Sequence, residues 1–340
     1  MKKFINNILL INGTYPPERC GVGDYCWNLI NSTAGTKWDI FVSDDWRLKT
    51  LFKKIAQIKA DKNRTVNIQY PSMGYKRSIL PQLLCIYIRL FTSKEVSVTF
   101  HEFCQMSTKG KIAASIFILF TNKIIFTTEA EKSEVERFFP LLKKKRVKVI
   151  RIFSNIPISD KANQDIDSRH YDIVYFGYIR PKKGLEEFLT VCKKLKTSLP
   201  RLKVIIIGQV QEEFAEYAEK VLADIYQNHY KYEGELSETA VADTLADCKI
   251  AYLPYPDGIS ERRGTFLAAL INKCIVVSKE GTHTTQSQRN ICFLTPDTEA
   301  PELIKSILEK SISRNIEPTI EDIPTSWNDI KTQYENFLLL

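Results

Sequence analysis

Short apolar runs of strand length alternate with amphipathic segments of helix length along the 340-residue chain, with six such runs in the first half and four in the second. Many of these runs, such as Val96–Phe100 and Val204–Ile207, lack the in–out alternation of a sheet with one solvated face. Parallel strands that helices cover on both faces have this character, because neither face meets water. The alternation therefore predicts an α/β protein with doubly wound parallel sheets.

The regular pattern stops near the middle of the chain, where Asn155–Pro157 and the polar run Asp160–Arg169 predict a linker. We therefore expect two Rossmann-like domains, residues 1–157 and 168–320. A C-terminal helix at residues 325–340 is expected to pack back on the first domain. Ligands of such sheets bind at the carboxyl ends of the strands, so we expect a site in a cleft that the two domains face.

The charge of the chain is divided unevenly. Residues 1–160 hold 26 Lys and Arg against 13 Asp and Glu, whereas residues 161–340 hold 22 against 27. A basic first half suggests an anionic partner. Because no nucleic-acid-binding motif is present, an anionic membrane surface or an anionic lipid-linked substrate is the favoured partner over nucleic acid.

The cysteines, the histidines and the N-terminal residues narrow the class of protein. The eight Cys are scattered without a Cys-x-x-Cys pair, and the four His are far apart, so we predict reduced core thiols and no metal site. The apolar run Ile8–Ile11 is too short for a signal peptide or a membrane span. We therefore expect a cytoplasmic protein, peripheral at the inner face of the membrane if the basic half binds lipid.

The segment Tyr75–Phe91 combines Lys76 and Arg77 with an apolar helix. A core helix is the first interpretation of this pattern. Membrane or lipid contact is the second.

Two basic loops lie between a predicted strand and a predicted helix in the second half. The first carries Arg180, Lys182 and Lys183, and the second carries Glu261 with Arg262, Arg263, Gly264 and Thr265. The free N–H groups at a helix start favour phosphate, and Arg adds a planar fork of donors. Solvated surface loops with ordinary ion pairs have the same composition, but the recurrence of the pattern favours a diphosphate site.

Two further features follow predicted strands in the first half. Gly21 and Gly23 precede a helix, where bare backbone amides can approach a phosphate or a sugar. Their spacing matches neither a dinucleotide fingerprint nor a P-loop, and an ordinary helix-start turn explains them equally well. His101 follows the buried run Val96–Phe100, at a strand end where a ligand contact and a structural role are both open.

The ordered set of motifs resembles the retaining glycosyltransferases of the GT-B fold, specifically family 4 of the sugar-nucleotide-dependent enzymes. The glycine loop, the segment Val98–Glu102 and the segment Phe176–Gly184 occur in this order. They are followed by the segments VIIIG, YEGELSETAVADTLADCKIAYLPY and PDGISERRGTFLAAL. The likeness covers nearly the whole chain.

The resemblance implies a sugar nucleotide held by the second domain, an acceptor contacted by the first, and no metal or other cofactor. It places Gly21 and Gly23 near the donor sugar-phosphate and His101 beside the transferred sugar. By the same resemblance Lys183 is the phosphate-binding lysine. The remaining expected donor contacts are Arg180, Glu261, Arg262, Arg263, Gly264 and Thr265, with His101 and Glu261 as the catalytic pair.

Two departures from the family pattern concern these contacts. Tyr178 stands where the family carries a phosphate-binding Arg, which makes Arg180 the nearby substitute. Ser260 and Ala268 stand at the positions of the usual Glu-x7-Glu pair, with Glu261 one residue away. The second Glu of the pair holds the ribose in the family, so this contact is absent here or supplied by another residue.

The residues and the resemblance together predict a glycosyltransferase of polysaccharide or glycoconjugate synthesis. It would move a hexose from a UDP-, GDP- or other nucleotide sugar to a glycan or lipid-linked acceptor, with retention. The missing Glu pair motivates an alternative, a non-catalytic GT-B-like subunit that binds a partner transferase or a glycan. An epimerase of sugar nucleotides on the same fold is a third interpretation, because fold alone does not identify the reaction.

Overall fold

The computed structural model describes residues 5–18, 20–140, 142, 145–310 and 326–340. The described chain forms two compact units, and the second begins at Ser154. In the described part of each unit a six-stranded parallel sheet is flanked by helices, which confirms the predicted α/β class with two doubly wound, Rossmann-like units.

The first unit has the strand order β2-β1-β3-β4-β5-β6. Its strands are β1 (Ile5–Ile11), β2 (Trp38–Phe41), β3 (Asn63–Tyr70), β4 (Glu95–Phe100), β5 (Lys123–Phe126) and β6 (Arg146–Val149). Its first five helices are α1 (Gly21–Asn31), α2 (Leu51–Ala60), α3 (Leu80–Phe91), α4 (Thr108–Phe120) and α5 (Glu129–Phe138).

Helix α3 shows why this sheet has covered faces. Leu80, Leu84, Cys85 and Ile88 recur at helical spacing and are fully buried in the core of the first unit. They place one stripe of the helix against the sheet. The core interpretation of Tyr75–Phe91 is therefore confirmed.

The second unit has the strand order β12-β11-β10-β7-β8-β9. Its strands are β7 (Tyr171–Phe176), β8 (Val204–Ile207), β9 (Lys231–Glu233), β10 (Cys248–Leu253), β11 (Ile275–Ser278) and β12 (Phe293–Leu294). Its helices are α6 (Leu185–Ser198), α7 (Ala215–Gln227), α8 (Glu238–Ala246), α9 (Gly264–Ile271), α10 (Gln286–Ile291) and α11 (Ala300–Leu308).

The polar segment Asp160–Arg169 belongs to the second unit and is not a free linker. The Ser159 N–H donates to Asn272 Oδ1 at 2.8 Å. The buried Arg169 guanidinium donates to the carbonyl oxygen of Cys248 at 2.8 Å and to neighbouring carbonyls. Polar composition suggested a linker, but these hydrogen bonds satisfy the polar groups inside the fold.

The last described helix, α12 (Trp327–Leu338), completes the first unit by packing on α1. The Tyr25 hydroxyl donates to the Tyr334 hydroxyl at 2.9 Å in a fully buried position. Glu335 Oε1 accepts from the N–H and the hydroxyl of Thr36 and from Trp38 Nε1, at 2.7, 2.8 and 2.8 Å. These contacts join the end of the chain to the first sheet.

Candidate functional site

The two basic loops of the second unit meet where its strand order reverses. The chain builds β8 and β9 on one side of β7 and places β10, β11 and β12 on the other. The loop after β7, residues 177–184, and the loop after β10, residues 254–263, therefore leave adjacent strands at their carboxyl ends. This is the point at which open α/β sheets bind ligands.

Gly184 holds these two loops in contact. Its φ of +86° lies in the left-handed region, and a Cβ at this position would stand 2.2 Å from the carbonyl oxygen of Pro254. Glycine fits both requirements because it has no Cβ. The cationic turn that precedes α6 is therefore fixed against the end of β10.

Three cations of the two loops act on one another at this point. Lys183 is half-buried, and its burial is the main cause that lowers its pKa below the ordinary value. The positive charges of Arg180 and Arg263 lower the pKa of Lys183 further, and the carboxylate of Asp257 partly opposes them. A cluster of cations with one nearby carboxylate attracts an anion of more than one charge.

Arg263 is held in the cluster by two contacts of its own loop. Its guanidinium lies over the ring of Tyr255, with Cζ 4.6 Å from the ring centre, and it donates to the Asp257 carboxylate. Its Nε atom is buried without a hydrogen-bond partner, as are Arg180 Nε and the hydroxyl oxygen of the buried Ser260. Three buried polar atoms of the two basic loops thus retain hydrogen-bonding capacity.

The first turn of α9 is the second anion-binding element of this loop. Arg263 occupies the N-cap position, and Gly264 is exposed, with nothing within 4 Å of the place of a Cβ. The Tyr255 hydroxyl lies 2.7 Å from the Thr265 hydroxyl and fixes the turn. The first N–H groups of a helix have no intrahelical acceptor and carry its positive end, so this open start suits phosphate.

Gly258 shapes the same loop by a close approach to the loop after β11. Its φ is +81°, and an added Cβ would stand 2.4 Å from the N atom of Gly281. Ile259 bonds both sides of that loop, donating to Lys279 O at 2.9 Å and accepting from the Thr284 hydroxyl at 2.9 Å. The loop that carries Asp257 and Arg263 therefore packs against the backbone of the loop after β11.

The positions of the family's carboxylates have different environments. Ala268 is fully buried within α9, so a carboxylate there would lose its hydration, and Ser260 is 5% exposed. Glu261 and Arg262 are half-buried and interact with other groups of the described chain. Tyr178 is exposed on the other loop.

The first-unit residues singled out from the sequence, Gly21, Gly23 and His101, gather around α1. Gly21 is exposed at the first position of α1, with open space at its Cβ position. Gly23 is buried, and a Cβ there would meet the carbonyl oxygen of Thr14 at 3.4 Å. The ring of Tyr25, also on α1, packs edge-on against His101 at 5.0 Å between centroids.

His101 lies at the carboxyl end of β4 and is 8% exposed. Its Nε2 atom lies 2.7 Å from Gln69 Oε1, and burial lowers the pKa of the imidazole to about 3. The ring is therefore neutral near pH 7, since burial in a low dielectric disfavours the charged form. It is suited to hydrogen bonding and not to the donation of a proton from an imidazolium.

Four residues have roles at the site that the sequence did not predict. Asp257 and Tyr255 orient Arg263, Ser260 offers a buried hydroxyl, and Gln69 holds His101. Proximity to Arg263 in the sequence was the only signal for the first two residues. Among the described residues, no group of three or more His, Cys, Asp or Glu side chains is arranged to hold a metal ion.

The comparison with protein families matches residues 158–310 to the family described as glycosyl transferases group 1. This segment contains both basic loops, α9 and the switch point. Residues 158–310 are therefore similar to this family. A search of curated proteins gave no match.

Solved structures similar to this chain span nearly its whole length. A glycosyltransferase from Rickettsia africae is 15% identical, with a TM-score of 0.65, over 100% of this chain and 94% of that one. HepE from Anabaena, in complex with UDP and glucose, is 12% identical with a TM-score of 0.60, over 98% and 96%. A sucrose-phosphate synthase from Thermosynechococcus elongatus is 13% identical with a TM-score of 0.61, over 98% and 95%. At such identities the likeness concerns the fold, and it confirms the predicted two-domain GT-B fold with two Rossmann-like units.

Within the described ranges, no helix has both the length and the apolar character needed to cross a bilayer.

Proposed function

We propose that this protein is a glycosyltransferase that moves a hexose from a nucleotide-diphosphate sugar to a glycan or lipid-linked acceptor. The observation that carries the proposal is the cluster of Arg180, Lys183 and Arg263 beside the open start of α9, within the segment that is similar to the group 1 glycosyltransferases. A diphosphate is the anion that such a set of cations and N–H groups fits best.

The cluster has a direct role in the chemistry of this reaction. When the glycosidic bond to the diphosphate breaks, negative charge grows on the leaving oxygen. Arg180, Lys183 and Arg263 are fixed near one another before that charge appears, and such preorganised stabilisation is the main electrostatic source of catalysis. We propose that these cations neutralise the leaving group without a divalent metal.

The other contacts of the donor are proposed from the same loop. Gly264 and Thr265 offer backbone N–H groups, Arg262 adds a cation, and Glu261 would bind sugar hydroxyls. HepE, which has the same fold, was crystallised with UDP and glucose, and this supports a uridine nucleotide as the first donor to test.

The first unit is proposed to contact the acceptor and the sugar. Gly21 opens α1 toward free space, which allows a ligand to approach the backbone. His101 is proposed to lie beside the transferred sugar, and the transfer is proposed to occur with retention of the anomeric configuration. Polysaccharide or glycoconjugate synthesis is the process to which such a transfer belongs.

Nucleotide release from a panel of UDP-, GDP- and ADP-sugars tests the proposal. We expect one nucleotide to bind and to be released, and Lys183→Ala to weaken both effects. Lys194→Ala, which removes an exposed cation from α6 of the same unit, is the matched control. Absence of binding by every nucleotide would contradict the proposal.

A non-catalytic GT-B-like subunit remains the second candidate. The specific observation in its favour is that Ser260 and the fully buried Ala268 replace the family's two carboxylates. Tight binding of a nucleotide, without nucleotide release from any sugar nucleotide of the panel on any added acceptor, would favour this alternative.

A membrane-facing surface is proposed on the first unit. The segments Asp44–Leu48 and Gly74–Ile79 line an open concavity of about 700 Å³. Its surroundings expose large apolar side chains and cations, namely Leu48, Phe52, Met73, Ile79, Arg47, Lys49, Lys53, Lys76 and Arg77. We name this set the apolar–basic surface, and its chemistry suits an anionic lipid layer that would present a lipid-linked acceptor.

A further inference from the structure

A line of buried polar side chains crosses β3 and β4 beneath His101. Ser97, Asn67, Gln69 and Thr99 are each at most 2% exposed, and they form side-chain hydrogen bonds with one another across the two strands. Buried polar groups in the interior of a sheet are costly unless every donor meets an acceptor. The direction of each hydrogen bond in this line is consequently determined.

The directions of these hydrogen bonds follow from the carbonyl oxygen of Val66. This oxygen can only accept, so the Ser97 hydroxyl, 3.1 Å away, donates to it. Ser97 Oγ then accepts from Asn67 Nδ2 at 2.9 Å, which turns Asn67 Oδ1 to the opposite side. Asn67 Oδ1 accepts from Gln69 Nε2, and Gln69 Oε1 is thereby the atom that faces His101.

The final bond of the line decides the proton on the imidazole. A carbonyl oxygen accepts only, and Gln69 Oε1 lies 2.7 Å from His101 Nε2, so Nε2 carries the hydrogen. A neutral imidazole has one N–H, and Nδ1 therefore carries the lone pair. The hydrogen bond that one ring nitrogen of a histidine makes commonly sets its tautomer in this way.

A second set of hydrogen bonds fixes the orientation of the His101 ring. The Tyr25 hydroxyl donates to Tyr334, and the Tyr334 hydroxyl donates to Thr99 Oγ1 at 3.2 Å. This holds the Tyr25 ring edge-on to His101, at an interplanar angle of 76°. Thr99 in turn donates to Asn67 Oδ1 at 3.1 Å, so both sets of hydrogen bonds end on the same amide.

We propose that Gln69 and Asn67 are positioning residues that hold His101 as its Nε2–H tautomer and make Nδ1 an obligate hydrogen-bond acceptor for a sugar hydroxyl. The ligand class follows because a lone pair selects a donor, whereas a phosphate or carboxylate oxygen offers none at neutral pH. The part that concerns the sugar rests on the proposed function. The tautomer does not.

The tautomer is measured on the free protein by NMR. The chain carries nitrogen-15 in its histidines, and the two-bond couplings between ring nitrogens and ring protons show which nitrogen bears the hydrogen. We expect one set of His101 signals, with Nε2 protonated and Nδ1 unprotonated. The variant His101→Gln lacks these signals and thereby assigns them. Gln69→Leu is expected to give a mixture of the two tautomers, whereas Gln82→Leu, at a buried Gln that bonds Tyr70, leaves the signals unchanged. A protonated Nδ1 in the unsubstituted protein would overturn the proposal, whether or not the variants fold.

The sugar contact is measured by calorimetric binding of UDP, UDP-glucose and the 2-, 3-, 4- and 6-deoxy analogues of UDP-glucose. For one analogue we expect roughly a threefold to tenfold loss of affinity, the size of one neutral hydrogen bond. The variant His101→Ala should bind this analogue as tightly as it binds UDP-glucose, because neither ligand then has the imidazole as a hydrogen-bond partner.

The outcomes separate the two proposals. UDP binding with equal losses for the analogues in both proteins would overturn the assignment of Nδ1 to a sugar hydroxyl. Failure of the protein to bind UDP or any other nucleotide would instead contradict the proposed function. The NMR result would still decide the tautomer.

Discussion

The guanidinium carbon of Arg263 lies 4.6 Å from the centre of the Tyr255 ring, while the same side chain donates to the Asp257 carboxylate. The ring supports one face of the guanidinium, and the carboxylate holds one end of its fork. Because both partners belong to the loop that carries Arg263, the direction of this cation is set before any ligand arrives. That preorganisation reduces the entropy cost of binding an anion.

The first prediction concerns Arg263. We expect Arg263→Ala to weaken the binding of the preferred nucleotide diphosphate roughly tenfold to a hundredfold, the size of a charge-assisted hydrogen bond. Arg263→Lys should recover only part of the loss, because an ammonium lacks the planar fork. Calorimetry measures both effects. Arg201→Ala, at an exposed Arg of the same unit, should bind normally; a normal affinity of Arg263→Ala would show that Arg263 does not contact the nucleotide.

The second prediction concerns pH. Burial and the neighbouring Arg180 and Arg263 lower the pKa of Lys183, so its ammonium loses its proton at a lower pH than an ordinary lysine. A bound diphosphate favours the charged form. We therefore expect nucleotide affinity to be full below the lowered pKa and to fall as pH rises through it, on the acid side of the ordinary lysine value.

Lys183→Arg separates this effect from other alkaline changes, because a guanidinium keeps its charge throughout the range. The alkaline fall in affinity should disappear in that variant and persist in Lys194→Arg. An identical pH profile for all three proteins would exclude Lys183 as the titrating group.

The third prediction concerns the docking of α12. Glu335 Oε1 accepts three hydrogen bonds from Thr36 and Trp38, so Glu335→Ala leaves a buried indole N–H without its acceptor. We expect the free energy of unfolding of the first unit to fall by about 2 kcal/mol or more. Urea unfolding followed by tryptophan fluorescence measures the change. Asn336→Ala, on the exposed side of the same helix, should have little effect; an equal loss in both variants would show that the hydrogen bonds of Glu335 are not the cause of the loss.

The fourth prediction concerns the apolar–basic surface. The protein should co-sediment with vesicles that contain anionic phospholipid and not with neutral vesicles. Lys53→Ala should lower partitioning roughly fivefold, the contribution of one cation near a charged bilayer. Phe52→Ser should weaken partitioning further, whereas Phe91→Ser, at an exposed Phe at the end of α3, should not. Equal sedimentation with both kinds of vesicle would contradict the proposal.

Periodicity was sufficient to predict the elements that bury an apolar face. The segment Tyr75–Phe91 contains the predicted core helix, α3, and the apolar run Val204–Ile207 coincides with β8. The strands β9 and β12 were missed because β9 is polar and only partly buried and β12 has only two residues. Helix α10 was missed because its six residues are mainly polar and its start depends on the capping box of Thr285. Local composition carries little information about such edge elements.

The site was predictable in its cations and in the open helix start at Gly264. Arg180, Lys183 and Arg263 are visible as basic loops, and the strand order that makes the loops adjacent follows the rule for doubly wound sheets. The stacking of Arg263 on Tyr255 was not visible, because it depends on the loop conformation that Gly258 permits. The hydrogen bond of His101 to Gln69 was equally hidden, since it joins neighbouring strands whose register is a property of the fold.

The packing of α12 on α1 has a consequence for biosynthesis. The ribosome makes the rest of the first unit first, then the whole second unit, and α12 only afterwards. Until then Tyr25 lacks its Tyr334 partner, and Trp38 lacks the Glu335 carboxylate. In the nascent chain, α1 therefore stays uncovered while the second unit is made and folds. Chaperone binding to α1 would matter most during this part of translation.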